Sequence, residues 1–142
     1  MQFKTAHNGF TLIEMVIVIA LMGLFAVVVG PPAMKYLAGG RIRTTEANLQ
    51  SINQAIESYY IDSNRYPEAL KDLVRKPMDE EIAQTWRGPY LSLKKGSKDL
   101  PLDGWNRKFE YRLNEEGAET PYELYSYGAK GKGSPQSEWL FA

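Results

Sequence analysis

An unbroken apolar stretch near the N-terminus limits the possible folds of this chain more than any other feature. Every residue from Met15 to Val29 is apolar or glycine, and Phe10, Leu12 and Ile13 extend the run towards the N-terminus. About 20 such residues in an α-helix span roughly 30 Å, which is the thickness of the hydrocarbon core of a bilayer. The run therefore predicts a membrane-spanning helix.

A cleaved secretory signal is the alternative explanation of the run. Such a signal has a shorter apolar region followed by a small-residue cleavage site. Here Gly30, Pro31 and Pro32 follow the run, and an A-x-A pattern is missing after it. These features favour a membrane span. The positive-inside rule does not decide the orientation, because basic residues lie on both sides of the run, with more of them after it.

Glu14 places a carboxylate inside this apolar run. An ionised side chain near the centre of a bilayer costs about 2.5–3.5 kcal/mol, and less towards the interface. One interpretation is an interfacial acid that reaches water. The other is a carboxylate that meets a cation in an apolar assembly of subunits, and the residues of the run alone leave both open.

Composition argues against several functions. Lys+Arg and Asp+Glu are both 17, so the balanced charge does not indicate nucleic acid as a partner. The sequence has no cysteine, and its single histidine, His7, lies close to the N-terminus, so a Ser/His/Asp or Cys/His arrangement has no base in the globular part. Asp99, Asp103, Glu110 and Glu123 could pair as acid and base, but acids in loops and strands are usually solvated. We therefore expect no enzymatic activity.

The helix is predicted to continue beyond the apolar run. Pro31 and Pro32 lack backbone donors and predict a kink or a locally unwound stretch near Gly30. Further on, apolar residues recur at spacings of seven, three, four and three, which is typical of one helical stripe that packs on a core. The stripe consists of Ile42, Leu49, Ile52, Ile56 and Tyr59, and polar residues including Asn48 lie on the other face. A cluster of turn residues predicts that the helix ends near Ile61.

The remaining residues predict short helices and strands. Helical turns are expected over 68–75, which Pro77 ends, and over 79–85. Alternating residues predict a half-buried strand over 108–113 with Phe109, Tyr111 and Leu113 on one face, and a second strand that starts at Tyr122 after a turn at 114–117. The predicted fold class is α+β, with a small antiparallel β-sheet packed against the long N-terminal α-helix.

The N-terminal residues resemble the class III signal of type IV pilins and type II secretion pseudopilins. In those proteins a short polar leader ends in glycine, cleavage precedes a phenylalanine, and glutamate is the fifth residue of the mature chain; Gly9, Phe10 and Glu14 match. The resemblance implies that a membrane peptidase cuts between Gly9 and Phe10 and methylates the new amine of Phe10. It also implies that Glu14 is an assembly residue, which neutralises that amine on a neighbouring subunit.

Later segments resemble the major pseudopilins of type II secretion systems, within the type IV pilin-like superfamily. The matching segments are 64–67, 86–91, 103–111 and 122–129. The resemblance implies a pilin-like fold and four parts. These are a cleaved leader (1–9), a hydrophobic transmembrane and filament-core helix (10–33), an amphipathic helix (34–62) and a small α+β globular periplasmic domain (63–142).

The resemblance further implies a structural subunit that polymerises into a periplasmic pseudopilus and drives the export of folded proteins. Its implied location is the bacterial inner membrane, as a single-pass protein with its C-terminal domain in the periplasm. The implied partners are copies of itself, the prepilin peptidase and methyltransferase, minor pseudopilins and the inner-membrane assembly platform. A type IV pilin for adhesion, motility or DNA uptake, and a single-span anchor of a periplasmic binding module, are the alternatives.

One segment departs from the resemblance. In that family, aspartates in a glycine-rich C-terminal loop hold a calcium ion, but here Lys130 stands at the first of these positions and Glu138 is the only carboxylate side chain after Glu123. Calcium takes six to eight oxygen ligands, several of them anionic. We therefore expect no cofactor and no metal. The ammonium of Lys130 or Lys132 is a hypothetical replacement on the loop carbonyls; a mobile solvated tail is the alternative.

Overall fold

A long helix and a small antiparallel sheet form the described part of the chain. The computed structural model describes residues 9–93, 99–115 and 117–142. The elements in chain order are α1 (Leu12–Ser63), a 3₁₀ turn (Leu70–Leu73), α2 (Glu80–Thr85), β1 (Glu110–Leu113), β2 (Tyr122–Ser126), a second 3₁₀ turn (Gln136–Glu138) and β3 (Leu140–Phe141). The predicted α+β class, with its long N-terminal helix and small antiparallel sheet, is confirmed.

The chain divides into two units, residues 1–38 and 39–142. The boundary falls inside α1, so the first unit contains the apolar half of the helix and the second contains its amphipathic half with the globular residues. The boundaries drawn from the sequence at 33 and 62 stay predictions. The end of α1 at Ser63 lies two residues beyond the predicted end at Ile61.

α1 continues through the two prolines. Gly30, Pro31 and Pro32 are all helical, so the chain is not unwound at this point. Each proline removes one backbone donor from the helix, which costs an ordinary helix interior about 3 kcal/mol. A kink of the helix axis at these residues stays a prediction.

The predicted stripe of α1 forms one side of the core in the second unit. Leu49, Ile52, Ile56 and Tyr59 are 0–1% exposed. They belong to one cluster with buried residues from the rest of the unit, including Leu73, Leu91, Phe109 and Leu124. The prediction is wrong at one position of the stripe, because Ile42 is 39% exposed.

Thr45 takes the buried position that Ile42 does not fill. It is fully buried, and its Oγ1 donates to the carbonyl of Arg41 at 2.8 Å and accepts from the backbone N of Gly104 at 2.8 Å.

Asn48, which the sequence pattern places on the solvent face, donates from Nδ2 to the carbonyl of Leu102 at 2.8 Å. A Cβ on Gly104 would overlap the carbonyl of Arg41, so only glycine allows this approach. Polar residues of α1 therefore anchor the 102–107 loop.

The sheet has the order β1-β2-β3, and both strand pairs are antiparallel. β1 and β2 confirm the predicted hairpin. Leu113 was predicted to face inward but is 39% exposed, because it pairs with Tyr122 at the last rung of the ladder, next to the turn. β3 was not predicted, since a two-residue strand is too short to show alternation.

The helical turns between α1 and the sheet are shorter than predicted. The stretch 68–75 contains only the 3₁₀ turn Leu70–Leu73. Pro77 follows closely and disfavours a longer helix. α2 begins after Asp79, whose Oδ1 accepts from the backbone N of Glu81 at 3.0 Å and of Ile82 at 3.1 Å, an ordinary N-cap.

The aromatic segment 86–91 packs against the end of α1. Trp86 donates from Nε1 to the carbonyl of Asp72 at 2.9 Å, and the hydroxyl of Tyr90 donates to Asp62 at 2.9 Å. The ring of Tyr90 meets that of Tyr59 edge-on, with 5.5 Å between centroids. Burial raises the pKa of Tyr59 to about 12, and the nearby charge of Asp72 adds to this. The core therefore holds Tyr59 as the neutral phenol.

We expect Tyr59→Phe to flatten the alkaline loss of stability. The raised pKa means that the folded state keeps a proton that the unfolded state loses above pH 10, so this contribution is complete below about pH 10 and disappears as the pH rises towards 12. Melting temperatures of the detergent-solubilised chain between these pH values measure the effect. Tyr60→Phe, at the half-buried neighbour, is the control. Identical pH profiles for wild type and Tyr59→Phe would contradict the prediction.

Thr45→Val is expected to destabilise the second unit by about 1–3 kcal/mol. Valine keeps the shape of the side chain but leaves the buried N–H of Gly104 without its acceptor. The matched control is Thr44→Val, because Thr44 is exposed and its hydroxyl bonds only within the helix, to Gly40 at 3.0 Å. Denaturant unfolding followed by tryptophan fluorescence measures both. Equal effects of the two substitutions would contradict the assigned role.

Candidate functional site

The junction between Gly9 and Phe10 lies just in front of α1. Neither residue is helical, and Phe10 is 82% exposed. Exposed backbone outside regular structure is where proteolysis concentrates. The structure therefore places the predicted cleavage bond where a peptidase can reach it, while the rest of the predicted leader, 1–8, lies outside the described residues.

Glu14 and Thr11 form a capping box at the start of α1. The backbone N and Oγ1 of Thr11 both donate to Glu14 Oε2, at 2.7 and 2.9 Å, and the backbone N of Glu14 donates to Thr11 Oγ1 at 3.3 Å. This reciprocal arrangement satisfies two of the donors that a helix N-terminus leaves without partners. Thr11 was missed from the sequence, although its T-x-x-E spacing to Glu14 is the signature of the motif.

The capping box adds a third explanation to the two that the sequence left open for Glu14. The carboxylate has a partner within its own chain, at the backbone of the residue that follows Phe10. An acid in the first turn is also favoured by the helix dipole. Glu14 is exposed, so the capping interaction leaves the side chain accessible to another subunit.

The first half of α1 presents apolar side chains on all sides. An 18-residue window of α1 has a mean hydropathy of 2.9, and none of that window is buried within the chain. Among the described residues, α1 is the one helix that is long and apolar enough to cross a membrane. A helix that is apolar all round needs lipid or other protein around it.

The C-terminal loop (residues 127–139) is organised by hydrogen bonds rather than being a solvated tail. Ser134 Oγ donates to the carbonyl of Tyr127 at 3.0 Å, and Trp139 Nε1 donates to the carbonyl of Ser134 at 3.0 Å. Lys130 Nζ lies 2.7 Å from Glu138 Oε1, so Lys130 pairs with the one acidic side chain of the loop.

The hypothesis that Lys130 or Lys132 binds the loop carbonyls is wrong. Lys130 forms an ion pair with Glu138, and the side chain of Lys132 is exposed. The cation on the carbonyls is the guanidinium of Arg107, whose Nη2 donates to the carbonyls of Gly128 and Ala129. Sequence reasoning missed Arg107 because it lies 21 residues before Gly128, outside the loop.

Two of the acids considered as catalytic candidates have structural partners. Asp103 accepts from the backbone N of Trp105 at 2.9 Å and of Arg107 at 2.8 Å, which closes the turn that carries Arg107. Glu123 lies 3.0 Å from Arg112 in an exposed ion pair across β1 and β2. Both arrangements stabilise a turn or a strand pair.

Comparison with known proteins gives two family matches in adjoining parts of the chain. The family "Type II secretion system (T2SS), protein G" matches residues 33–138, and the "Prokaryotic N-terminal methylation motif" matches residues 4–30. The type II secretion system core protein G of Pseudomonas aeruginosa is 32% identical over 133 residues, covering 91% of this chain and 88% of the relative. That of Xanthomonas campestris pv. campestris is 30% identical over 130 residues, covering 91% and 83%.

A solved structure supports the fold. The crystal structure of the major pseudopilin from the type 2 secretion system of enterohaemorrhagic Escherichia coli matches with a TM-score of 0.52 at 21% identity. The match covers 78% of this chain and 93% of that one. At this identity the likeness concerns the fold.

The fold and the N-terminal methylation motif together define a pilin-like protein, in which a helix with an exposed apolar surface leads into a small α+β domain. More narrowly, the chain belongs to the type II secretion system protein G family, which covers most of its length. It is thus a pseudopilin of a secretion system, and the alternative of a type IV pilin is not supported.

Proposed function

We propose that the mature chain polymerises with copies of itself into a periplasmic pseudopilus that drives the export of folded proteins across the outer membrane. The observation that carries this proposal is the apolar surface of the first half of α1, which none of the described residues buries. Exposed apolar surfaces of this extent mark contacts with a membrane or with other protein. In the proposal the same surface first lies in the inner membrane and then packs against other subunits.

The move from lipid to filament gains little from the hydrophobic effect, because lipid tails are as apolar as the side chains that leave them. Close packing between helices and specific polar contacts must therefore favour the assembled state. Cleavage in front of Phe10 would create a cationic amine beside the apolar run, and Glu14 of a neighbouring subunit is its proposed partner. An unpaired charge in such surroundings costs several kcal/mol, so this pair would select the correct register.

The remaining parts of the proposal concern location and partners. The chain would be stored in the bacterial inner membrane as a single-pass protein with its C-terminal domain in the periplasm. A prepilin peptidase and methyltransferase would process it, and minor pseudopilins and the assembly platform would start and extend the filament. The chain itself would act by assembly and not by catalysis, and a separate ATPase would supply the energy.

Mass spectrometry of the mature protein tests the processing step. We expect the isolated chain to begin at a methylated Phe10. In Gly9→Val the chain should keep Met1, although a Cβ on Gly9 has no neighbour within 4 Å and therefore disturbs nothing in the described residues. An intact Met1 in the wild-type protein would instead indicate a single-span anchor for a periplasmic module and would overturn the proposal.

Two substitutions separate the capping role of Glu14 from its proposed role between subunits. Glu14→Gln removes the charge, but glutamine can still accept the capping hydrogen bonds. Thr11→Val keeps the charge and removes the two capping hydrogen bonds of the Thr11 hydroxyl, a loss worth about 0.5–2 kcal/mol. We expect Glu14→Gln to lower filament yield at least tenfold, since a lost charge pair worth several kcal/mol exceeds the roughly 1.4 kcal/mol of one tenfold step.

Thr11→Val should lower filament yield less than Glu14→Gln. Filaments are counted by electron microscopy in cells that overproduce the secretion apparatus, and fractionation confirms that both variants are processed and inserted. Normal assembly of Glu14→Gln would refute the charge pair. A defect in Thr11→Val together with normal assembly of Glu14→Gln would show that the helix cap, and not the charge, is what assembly needs.

A further inference from the structure

The resemblance to major pseudopilins implies a calcium ion in the C-terminal loop, but the residues here do not fit one. The carbonyls of Gly128 and Ala129 accept hydrogen bonds from Arg107 Nη2. The carboxylate of Glu138 lies 2.7 Å from Lys130 Nζ. Calcium needs six to eight oxygens with several negative charges, and here two of the loop carbonyls and the one loop carboxylate already have positively charged partners.

Arg107 is positioned by contacts on both of its sides. Asp103, whose side chain is 1% exposed, lies 3.6 Å from Arg107 Nε through Oδ2. Ser126 Oγ donates to the same Oδ2 at 2.7 Å and accepts from the backbone N of Gly128 at 3.2 Å. The guanidinium carbon also lies 5.7 Å from the ring centroid of Trp105, within cation–π range. The carboxylate thus supplies the negative charge that holds a cation at this place.

The loop backbone leaves room for the guanidinium at one glycine. Gly131 has φ +79°, and a Cβ built there would overlap Arg107 Nη1. Gly133 has φ +102°, but a Cβ there would lie in open space. Both glycines occupy backbone conformations that other residues rarely adopt, and only the first of them lies against Arg107.

We propose that Arg107 is the built-in cation of the C-terminal loop, so that the loop folds without a divalent ion. The guanidinium donates to two successive carbonyls, as a bound ion would bind them, and the buried Asp103 balances its charge. Arginine suits this role, because its planar group presents several donors in a fixed geometry and stays charged at all physiological pH values. The role belongs to the fold of the globular residues and does not depend on filament formation.

Hydrogen exchange of the full-length chain in detergent tests the independence from calcium. Amide exchange over 127–139 and the melting temperature should be the same in millimolar calcium chloride and in EGTA, with the melting temperature within about 1 °C. Slower exchange or a rise of several degrees with calcium would overturn the proposal.

Substitution of the arginine tests its role directly. Arg107→Gln should speed exchange over 127–139 about tenfold or more, while exchange over 49–59 in α1 stays slow. The matched control is Arg112→Gln, because Arg112 is an exposed strand arginine with one ion pair, and exchange in its C-terminal loop should match wild type. A loop that exchanges as slowly in Arg107→Gln as in wild type would refute the role.

The two glycines give a second test in case Arg107→Gln unfolds the whole domain. Gly131→Ala and Gly133→Ala both introduce backbone strain, because both residues have positive φ, but only Gly131→Ala also displaces the guanidinium. We expect faster loop exchange in Gly131→Ala than in Gly133→Ala. Equal exchange in the two variants would show that the loop does not depend on Arg107.

Discussion

The apolar surface of the first half of α1 is not buried by any part of the chain that the structure describes, and the rest of the molecule depends on this constraint. Side chains such as Phe25, Val27 and Leu37 are 62–75% exposed. Exposure of so long an apolar surface to water is unfavourable. An exposed apolar surface of this extent marks a contact with a membrane or with other protein. The second half of α1 has the opposite character, since its stripe is buried by the globular residues and its polar face binds the 102–107 loop.

Ion pairs contribute unequally to this fold. Three ion pairs each contain a basic side chain that is more than half exposed, and surface pairs are worth about 0–1 kcal/mol. They are Arg65–Glu81, Arg112–Glu123 and Lys130–Glu138. Asp103 differs, because its buried carboxylate accepts two backbone N–H groups and a hydroxyl and lies 3.6 Å from the guanidinium Nε of Arg107. Removing one member of such a group leaves a buried charge without its partner, so this cluster matters more than the three surface pairs together.

Patterns that repeat along the sequence predicted the fold well. The apolar run predicted a helix, the stripe from Leu49 to Tyr59 predicted a buried face, and the alternation around Tyr111 predicted a strand. The structure confirms the helix, the buried face and the strand, although Leu113 at the end of the strand is exposed. Long-range polar contacts left no such signal. Thr45 is buried because a loop some 60 residues later offers it a donor, and Arg107 reaches a loop that contains two lysines of its own. The sequence therefore indicated that the C-terminal loop was unusual but not which side chain organises it.

The two oxygens of the Glu14 carboxylate allow this side chain to have two different partners. Both donors of Thr11 go to Oε2, and a carboxylate has a second oxygen of equal charge. In the proposed filament, the ammonium of an adjacent subunit would approach through Oε1, and the cap would stay closed. Docking would then require no fraying of the helix end, and the incoming molecule would meet a carboxylate already fixed in direction instead of one that must first be ordered.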